Sequence, residues 1–204
     1  SQVVHVIDDD VDVRQSLAFL LSTAGLAVRV HDSAVAFLKV LPDAQPGCVV
    51  TDIRMPEMDG LELQRRLAEL KSGFPVIVMT GHGDVPMAVE AMKAGAVDFI
   101  EKPFDDETLL SAIRSALDRH SRNREREDRM DSIRKRLDAL SGRERDVLKG
   151  LAAGKANKVI AYDLGISART VEVYRANVMT KMKAQSLSEL VRMALLAGIA
   201  PSAA

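Results

Sequence analysis

A single cysteine, Cys48, stands among 204 residues, so no disulfide forms within the chain. It opens a strand-like apolar run and reads as a small buried hydrophobe. No apolar stretch approaches the ~20 residues that a membrane-spanning helix needs. The first residues carry no basic-then-apolar signal. Both absences lead to the expectation of a cytoplasmic protein that does not meet a membrane. No internal repeat occurs, and glycine and proline are missing from 104 to 141, which removes the usual helix breakers there. Net charge is almost absent too, at −1, but residues 1–120 carry −8 and residues 121–204 carry +7. That division joins an acidic module to one suited to a polyanion. With 47% hydrophobic and 28% charged residues the chain can build two packed domains.

Short apolar runs, by contrast, recur in the acidic half. VVHVI precedes Asp8 and Asp9, CVVT precedes Asp52, PVIVM precedes Thr80, and VDFIE precedes Lys102. Runs of this kind, rich in Val and Ile and separated by helix-like segments, read as strands of a doubly wound parallel sheet. LAVRV adds a fifth strand. Helical spacing places Val13, Leu17, Leu20 and Leu21 on one face, then Leu63 and Leu67, then Val89 and Met92. Gly25 and Gly95 follow two of these helices as C′ residues. The expected fold is a three-layer α/β domain with five parallel strands. In such sheets ligands collect beyond the carboxyl ends of the strands, where strand order reverses.

Three acids, a hydroxyl and an amine would meet at that rim. A strand-end Asp often only caps the next helix, and Asp10 and Asp12 suit that role. Asp8, Asp9 and Asp10 in a row, however, repel unless a cation or separate partners offset them. Mg²⁺ takes oxygen ligands and keeps several waters beside one or two carboxylates. Asp9 and Asp52 are the expected direct ligands, with Asp8 acting through water and Mn²⁺ as a substitute ion. Asp52 is the expected nucleophile, since a carboxylate attacks phosphorus to give an acyl phosphate. Lys102 and the cation would neutralise the phosphoryl oxygens, and Thr80 would donate a hydrogen bond to them. A phosphotransferase or phosphatase of the haloacid dehalogenase kind also uses an Asp and Mg²⁺. It carries a second Asp two residues after the nucleophile, where this chain has Arg54, and no cap domain is visible.

The segments VIDDD, TDIRMPEMDG, MTGHGD and VDFIEKPF, in this order and spacing over residues 2 to about 120, resemble the receiver domain of two-component response regulators. The resemblance implies Asp52 as phosphoacceptor, with Asp9, Asp52 and the backbone carbonyl of Arg54 on the metal. It implies Thr80 and Lys102 as the pair that senses the phosphoryl group, Phe99 as the switch aromatic, and a cis Lys102–Pro103 bond. A sensor histidine kinase is then the phosphoryl donor. Phosphorylation is expected to produce a homodimer through a surface containing Val89, Met92 and Phe99.

From Asp106 the pattern turns helical through Leu110, Ile113 and Leu117. Residues 118–129 then lack any large apolar side chain, and Met130, Ile133, Leu137 and Leu140 resume one residue out of phase. One long helix is expected, with a disordered tether as the alternative. Ser141 and Glu144 fit a capping box. NKVIAYDLGISARTVEVYRANVMTKM reads as helix, turn at Gly165 and a second helix capped by Ser167, and SLSELVRMALLAG as a closing helix. The second helix places Val171, Val178 and Met182 inward, and Arg169, Glu172, Val173, Ala176 and Thr180 outward, with Asn177 at the edge. Val173 and Ala176 allow close approach to a major groove, where a thymine methyl packs. A helical adaptor for proteins would share these features, and a charge of +5 over residues 141–204 does not exclude it.

Residues 141–198 resemble the LuxR-type, or NarL/FixJ-type, helix-turn-helix output domain. That implies double-stranded DNA as partner, RNA polymerase as a further one, and residues 168–183 as the recognition helix. Lys158, Arg169, Thr170, Arg175 and Lys181 become phosphate or groove-edge candidates, and Glu172, Val173 and Ala176 base-facing ones. Some relatives carry Lys at the positions of Glu172 and Ala176, so base preference stays open. GHGDVPMAVEAMKAGAVDFIEKPF, NKVIAYDL and RTVEV are similar to the FixJ group of this family. That likeness implies a FixL-like oxygen-sensing kinase and control of nitrogen-fixation or microaerobic genes. The expected domains are a receiver over 1–118, a helical linker over 119–140 and an output domain over 141–204.

Overall fold

The computed structural model of the chain describes residues 2–199, so the last positions of the expected output domain, 200–204, lie outside the described residues. The chain forms two compact units, residues 1–123 and 124–204.

In the first unit, strands β1 (Val3–Ile7), β2 (Ala27–His31), β3 (Gly47–Asp52), β4 (Val76–Thr80) and β5 (Asp98–Glu101) form one parallel sheet in the order 2-1-3-4-5. The central strands β1, β3 and β4 are buried along nearly their whole length, which explains their unbroken Val and Ile runs. β2 lies at an edge, and its Arg29 is exposed. Helices α1 (Val11–Thr23), α2 (Ala34–Val40), α3 (Gly60–Glu69), α4 (Val85–Lys93) and the start of α5 (Asp106–Asp138) cover the sheet. The core divides into a layer containing Leu17, Leu21, Leu109 and Ile113 and one containing Phe37, Leu63 and Leu67. Asp10 caps α1 by accepting from the amides of Asp12 and Val13. Gly25 and Gly95 follow their helices at φ of 80° and 112°.

The second unit contains α6 (Gly142–Ala152), α7 (Asn157–Leu164), α8 (Ala168–Lys181) and α9 (Leu187–Leu196). Ser141 and Glu144 make the capping box of α6, and Ser167 caps α8. Gly165 ends α7 at φ 65° and ψ 36°, the left-handed conformation that lets the chain turn sharply into α8. α5 is one helix, and its two apolar seams serve different cores. Leu110, Ile113 and Leu117 belong to the core of the first unit, whereas Ile133 and Leu137, with Leu140 just past the helix end, join Val147, Val171 and Val178. The phase shift between the seams follows from this division of labour. It also draws the core of the second unit wider than residue 141, since part of the expected linker is built into it.

His5 lies in the middle of β1 and is only 2% exposed. Its Nε2 faces the carbonyl oxygen of Gln45 at 2.9 Å, so that nitrogen carries the proton, and Nδ1 accepts from Nε2 of His31 at 3.2 Å. Phe37 and Phe74 pack against the pair. Burial lowers the pKa of both imidazoles, and burial together with His5 brings His31 to about 4. A folded pKa below the ordinary 6.5 means that the unfolded chain takes the proton first. The contribution of His31 to stability is therefore complete above pH 6.5 and falls as pH drops toward 4. We expect His31 alone to cost about 1–2 kcal/mol at pH 5. Thermal melts of the native chain and His31→Gln at pH 7 and pH 5 isolate this contribution by difference. Equal acid losses in the two chains would refute it.

Candidate functional site

Strand register assembles the rim. β1 and β3 pair Ile7 with Thr51, so the next residues, Asp8 and Asp52, emerge side by side where strand order reverses. β4 brings Thr80 to the same end, paired with Glu101 of β5, and the amide of Lys102 donates to the carbonyl of Thr80 at 2.7 Å. Thr80 and Lys102 are thus joined through their backbones. Gly60 brings the start of α3 against the end of β3. Its amide donates to Ile53 O at 2.9 Å, and a Cβ there would sit 2.5 Å from the carbonyl oxygen of Asp52. Only glycine allows this approach.

Carboxylate oxygens of Asp8, Asp9 and Asp52 lie within 4.8 Å of one another. Asp8 is 1% exposed, and its Oδ1 accepts from the amide of Asp10 at 2.9 Å. Its Oδ2 is buried without a hydrogen-bond partner among the described residues. The Lys102 ammonium lies 3.3 Å from Asp52 Oδ1. Burial raises the pKa of both Asp8 and Asp52; Lys102 opposes the shift at Asp52 and Asp9 adds to it. Three carboxylates against one ammonium leave uncompensated negative charge. Together with an orphaned buried oxygen, this all-oxygen donor set fits a hard divalent cation.

The other expected receiver residues are distributed as follows. Thr80 is fully buried, and its hydroxyl donates to Gly81 O at 3.1 Å. Phe99 is half-buried against the core layer of α3 and α4. Val89 and Met92 are exposed on α4. The Lys102–Pro103 bond is cis. The side chain of Arg54 is engaged by Asp84, with Nε donating to Oδ1 at 2.6 Å, which ties the loop after β3 to the loop after β4. No local pattern announces a pair thirty residues apart. A mainly apolar cleft of about 760 Å³ also opens beside the rim, lined by Val13, Leu17, Leu20, Lys102 and Phe104, with Phe19 exposed at its edge.

In the second unit, α8 buries Val171, Val178 and Met182 completely. Arg169, Glu172, Val173, Ala176, Asn177 and Thr180 are exposed, and Arg175 is half-buried. Lys158 is exposed on α7. Thr170 contributes to the cap, with its hydroxyl 2.8 Å from that of Ser167. Lys181 has a structural partner that its sequence position conceals, because its Nζ lies 2.6 Å from Oε1 of the buried Glu144. The Lys181 ammonium, and then the Ser141 amide, hold the Glu144 carboxyl below its ordinary pKa.

Comparisons with known proteins place both units. The family described as "Response regulator receiver domain" matches residues 4–114, and "Bacterial regulatory proteins, luxR family" matches residues 138–194. The chain is 62% identical over 199 residues to the transcriptional regulatory protein FixJ of Azorhizobium caulinodans, covering 98% of this chain and 94% of that protein. It is 59% identical to FixJ of Rhizobium meliloti, covering 98% of each. Among solved structures, full-length FixJ from B. japonicum matches with a TM-score of 0.63 at 54% identity, covering 98% of each chain. The response regulator StyR matches with a TM-score of 0.87 at 42% identity, covering 95% of this chain and 98% of that one. These relatives are regulators, not enzymes, which decides against a dehalogenase-type phosphotransferase. The chain belongs to the two-component response regulators that join a receiver to a LuxR-type DNA-binding domain, and it is a FixJ-like regulator of transcription.

Proposed function

We propose that Asp52 is the phosphoacceptor and that its phosphorylation switches the chain from a monomer to a DNA-binding dimer. The observation that carries this reading is the convergence of Asp8, Asp9 and Asp52 within 4.8 Å, with Lys102 3.3 Å from Asp52. A carboxylate oxygen of Asp52 attacks the phosphorus of a phosphohistidine, the P–N bond breaks and the imidazole leaves with its electron pair. Asp9, Asp52 and the Arg54 carbonyl would hold Mg²⁺ or Mn²⁺, with Asp8 acting through water; bound there, the ion supplies positive charge against the phosphoryl oxygens. Lys102 supplies a second positive charge. The Thr80 hydroxyl must leave Gly81 O to donate to the new phosphoryl group. Because the Lys102 amide is bonded to Thr80 O, the two residues respond as one unit.

The apolar cleft beside the rim, with Phe19 at its edge, offers a histidine kinase a docking face next to Asp52. By likeness to FixJ, that kinase is FixL-like and the regulated genes serve nitrogen fixation or microaerobic growth. The cytoplasm is the compartment this function requires, and among the described residues no helix is long and apolar enough to cross a membrane. RNA polymerase is the further partner of a DNA-bound activator. Selecting bound duplexes from a random pool, with and without acetyl phosphate and Mg²⁺, tests the reading. The expected product is a two-part site whose recovery depends on the phosphodonor, and recovery independent of it would overturn the switch.

The exposed residues of α7 and α8 divide by chemistry. Arg169→Ala and Lys158→Ala are expected to weaken binding to every sequence and to lower the salt slope by about one per lost phosphate contact. Arg175 and Thr170 belong with them at the groove edge. Glu172→Ala, Val173→Ala and enlargement of Ala176 are expected to change base preference. Lys181→Ala should lower the melting temperature as well as affinity, because it strands the buried Glu144 carboxylate. Salt titrations on selected and scrambled duplexes sort these classes. A base-specific effect of Lys158 without a change in slope would contradict the assignment.

A further inference from the structure

The C-terminal end of α8 is gripped from outside the helix-turn-helix. Arg136, in the last turn of α5, is half-buried, and its Nη1 donates to the carbonyl oxygen of Met182 at 3.0 Å. The same nitrogen lies 3.8 Å from the Met193 sulfur in α9. Met182 is the C-cap of α8 and is fully buried. Its carbonyl is among those that a helix end leaves without an intrahelical donor, and it sits at the negative pole of the helix. A guanidinium there satisfies the oxygen and complements the dipole. Arg136 is itself held in place, because Ile133 and Leu137 of the same turns are 2% and 7% exposed in the core that α8 enters. One residue before Met182, the Lys181–Glu144 bond fixes α8 against α6.

We infer that Arg136 is a positioning residue for DNA recognition. It holds the angle at which α8 presents Glu172, Val173 and Ala176, and it does so from the helix that leaves the receiver. The inference rests on α8 being the reading helix. Base contacts come from the N-terminal part and middle of such a helix, so Arg136, at the far end, does not itself reach the bases. Hydrogen bonds to base edges weaken steeply with distance and angle, so a small change in helix pitch removes them. Phosphate contacts through long, flexible side chains survive the same change. Loss of Arg136 therefore removes discrimination and spares general affinity, which is the opposite of what loss of a phosphate-binding arginine does.

The test uses the full chain, a duplex recovered by selection with the native protein, and a scrambled duplex of the same composition. Arg136→Met keeps the apolar stem against Met193 and deletes the donors; Arg136→Gln is polar but too short to reach Met182, and serves if the first variant does not fold. Arg136→Lys retains a cation able to bond the carbonyl. Affinities are measured at a temperature where circular dichroism shows the chains fully folded. Arg136→Met or Arg136→Gln is expected to lose about tenfold on the selected duplex, the equivalent of one good base contact, with scrambled-duplex affinity and salt slope unchanged. Arg136→Lys should recover at least half of the lost discrimination. Native affinity for the selected duplex in the folded neutral variants would overturn the inference, leaving Arg136 a purely structural role. An equal loss on both duplexes with a flatter salt slope would overturn it in favour of a direct phosphate contact. A native chain that captures no DNA would instead overturn the assignment of α8.

Discussion

An Asp52→Asn chain incubated with acetyl phosphate and Mg²⁺ is expected to take up less than about a hundredth of the phosphate that the native chain does, because the proposed nucleophile is gone. The fold is expected to survive the change. Asparagine has the shape of aspartate, and burial already disfavours the charge at this position. Phosphate uptake, read by intact mass after acid quench, should be lost while the melting transition remains. Asp9→Ala gives the complementary result. If the acid rim holds Mg²⁺ as proposed, the ion is expected to stabilise the native chain by mass action, about 2.7 kcal/mol at one hundred times its Kd, with the exposed Asp9 supplying a large part of that affinity. The Mg²⁺-dependent rise in melting temperature should shrink or vanish in Asp9→Ala. An Asp52→Asn chain that still gains an acid-stable, base-labile phosphate at normal yield would place the acceptor elsewhere.

The second large effect is on mass and DNA affinity together. Without a phosphodonor the chain is expected to be monomeric in light scattering, and with one it is expected to double in mass. Thr80 leads into α4 and Lys102 follows β5, so the proposed response of these two residues to a phosphoryl group would reach the surface that carries Val89, Met92 and Phe99. Val89 is 40% exposed and Met92 36% exposed, apolar side chains available to a second copy. A dimer links two output domains, and linkage of that kind raises affinity by about 10²–10⁴ without any new contact at either half-site. Val89→Asp should keep the phosphorylated chain monomeric and forfeit that gain, while uptake of phosphate at Asp52 continues. Equal mass in both states, at concentrations where DNA affinity still rises, rules dimerisation out as the switch.

The rim was legible because parallel strands buried on both faces write themselves as unbroken apolar runs. The residue that ends each run is carried to one edge by topology. Asp8, Asp52, Thr80 and Lys102 are all found by that rule. The caps were legible for a local reason, since Ser141 with Glu144 and Ser167 with Thr170 satisfy amides only three residues away. What escaped were polar pairs distant in the chain. Arg54–Asp84, His5–His31, Lys181–Glu144 and Arg136–Met182 join segments between 26 and 46 residues apart, and neither composition nor periodicity reports such contacts. α2 was also missed, because AVAFLKV is too short to separate a helical from a strand period. The strand order was not written in the runs either, although β2, with Ala27, Arg29 and Val30 exposed and no residue fully buried, bears the mark of an edge.

Cys48 has a practical bearing on the study of this switch. It is completely buried at the amino end of β3, and burial pushes its thiol up to about 12. Alkylation requires an accessible thiolate, so the native fold is silent toward maleimides and iodoacetamides at neutral pH. A cysteine introduced on α4, on α8 or in the polar stretch of α5 would then be the sole reactive thiol. Fluorophores or spin labels could be placed there one at a time, without first engineering the natural cysteine away. In a doubly substituted chain, with one such label in each domain, the distance between the two before and after phosphorylation would follow the domains directly.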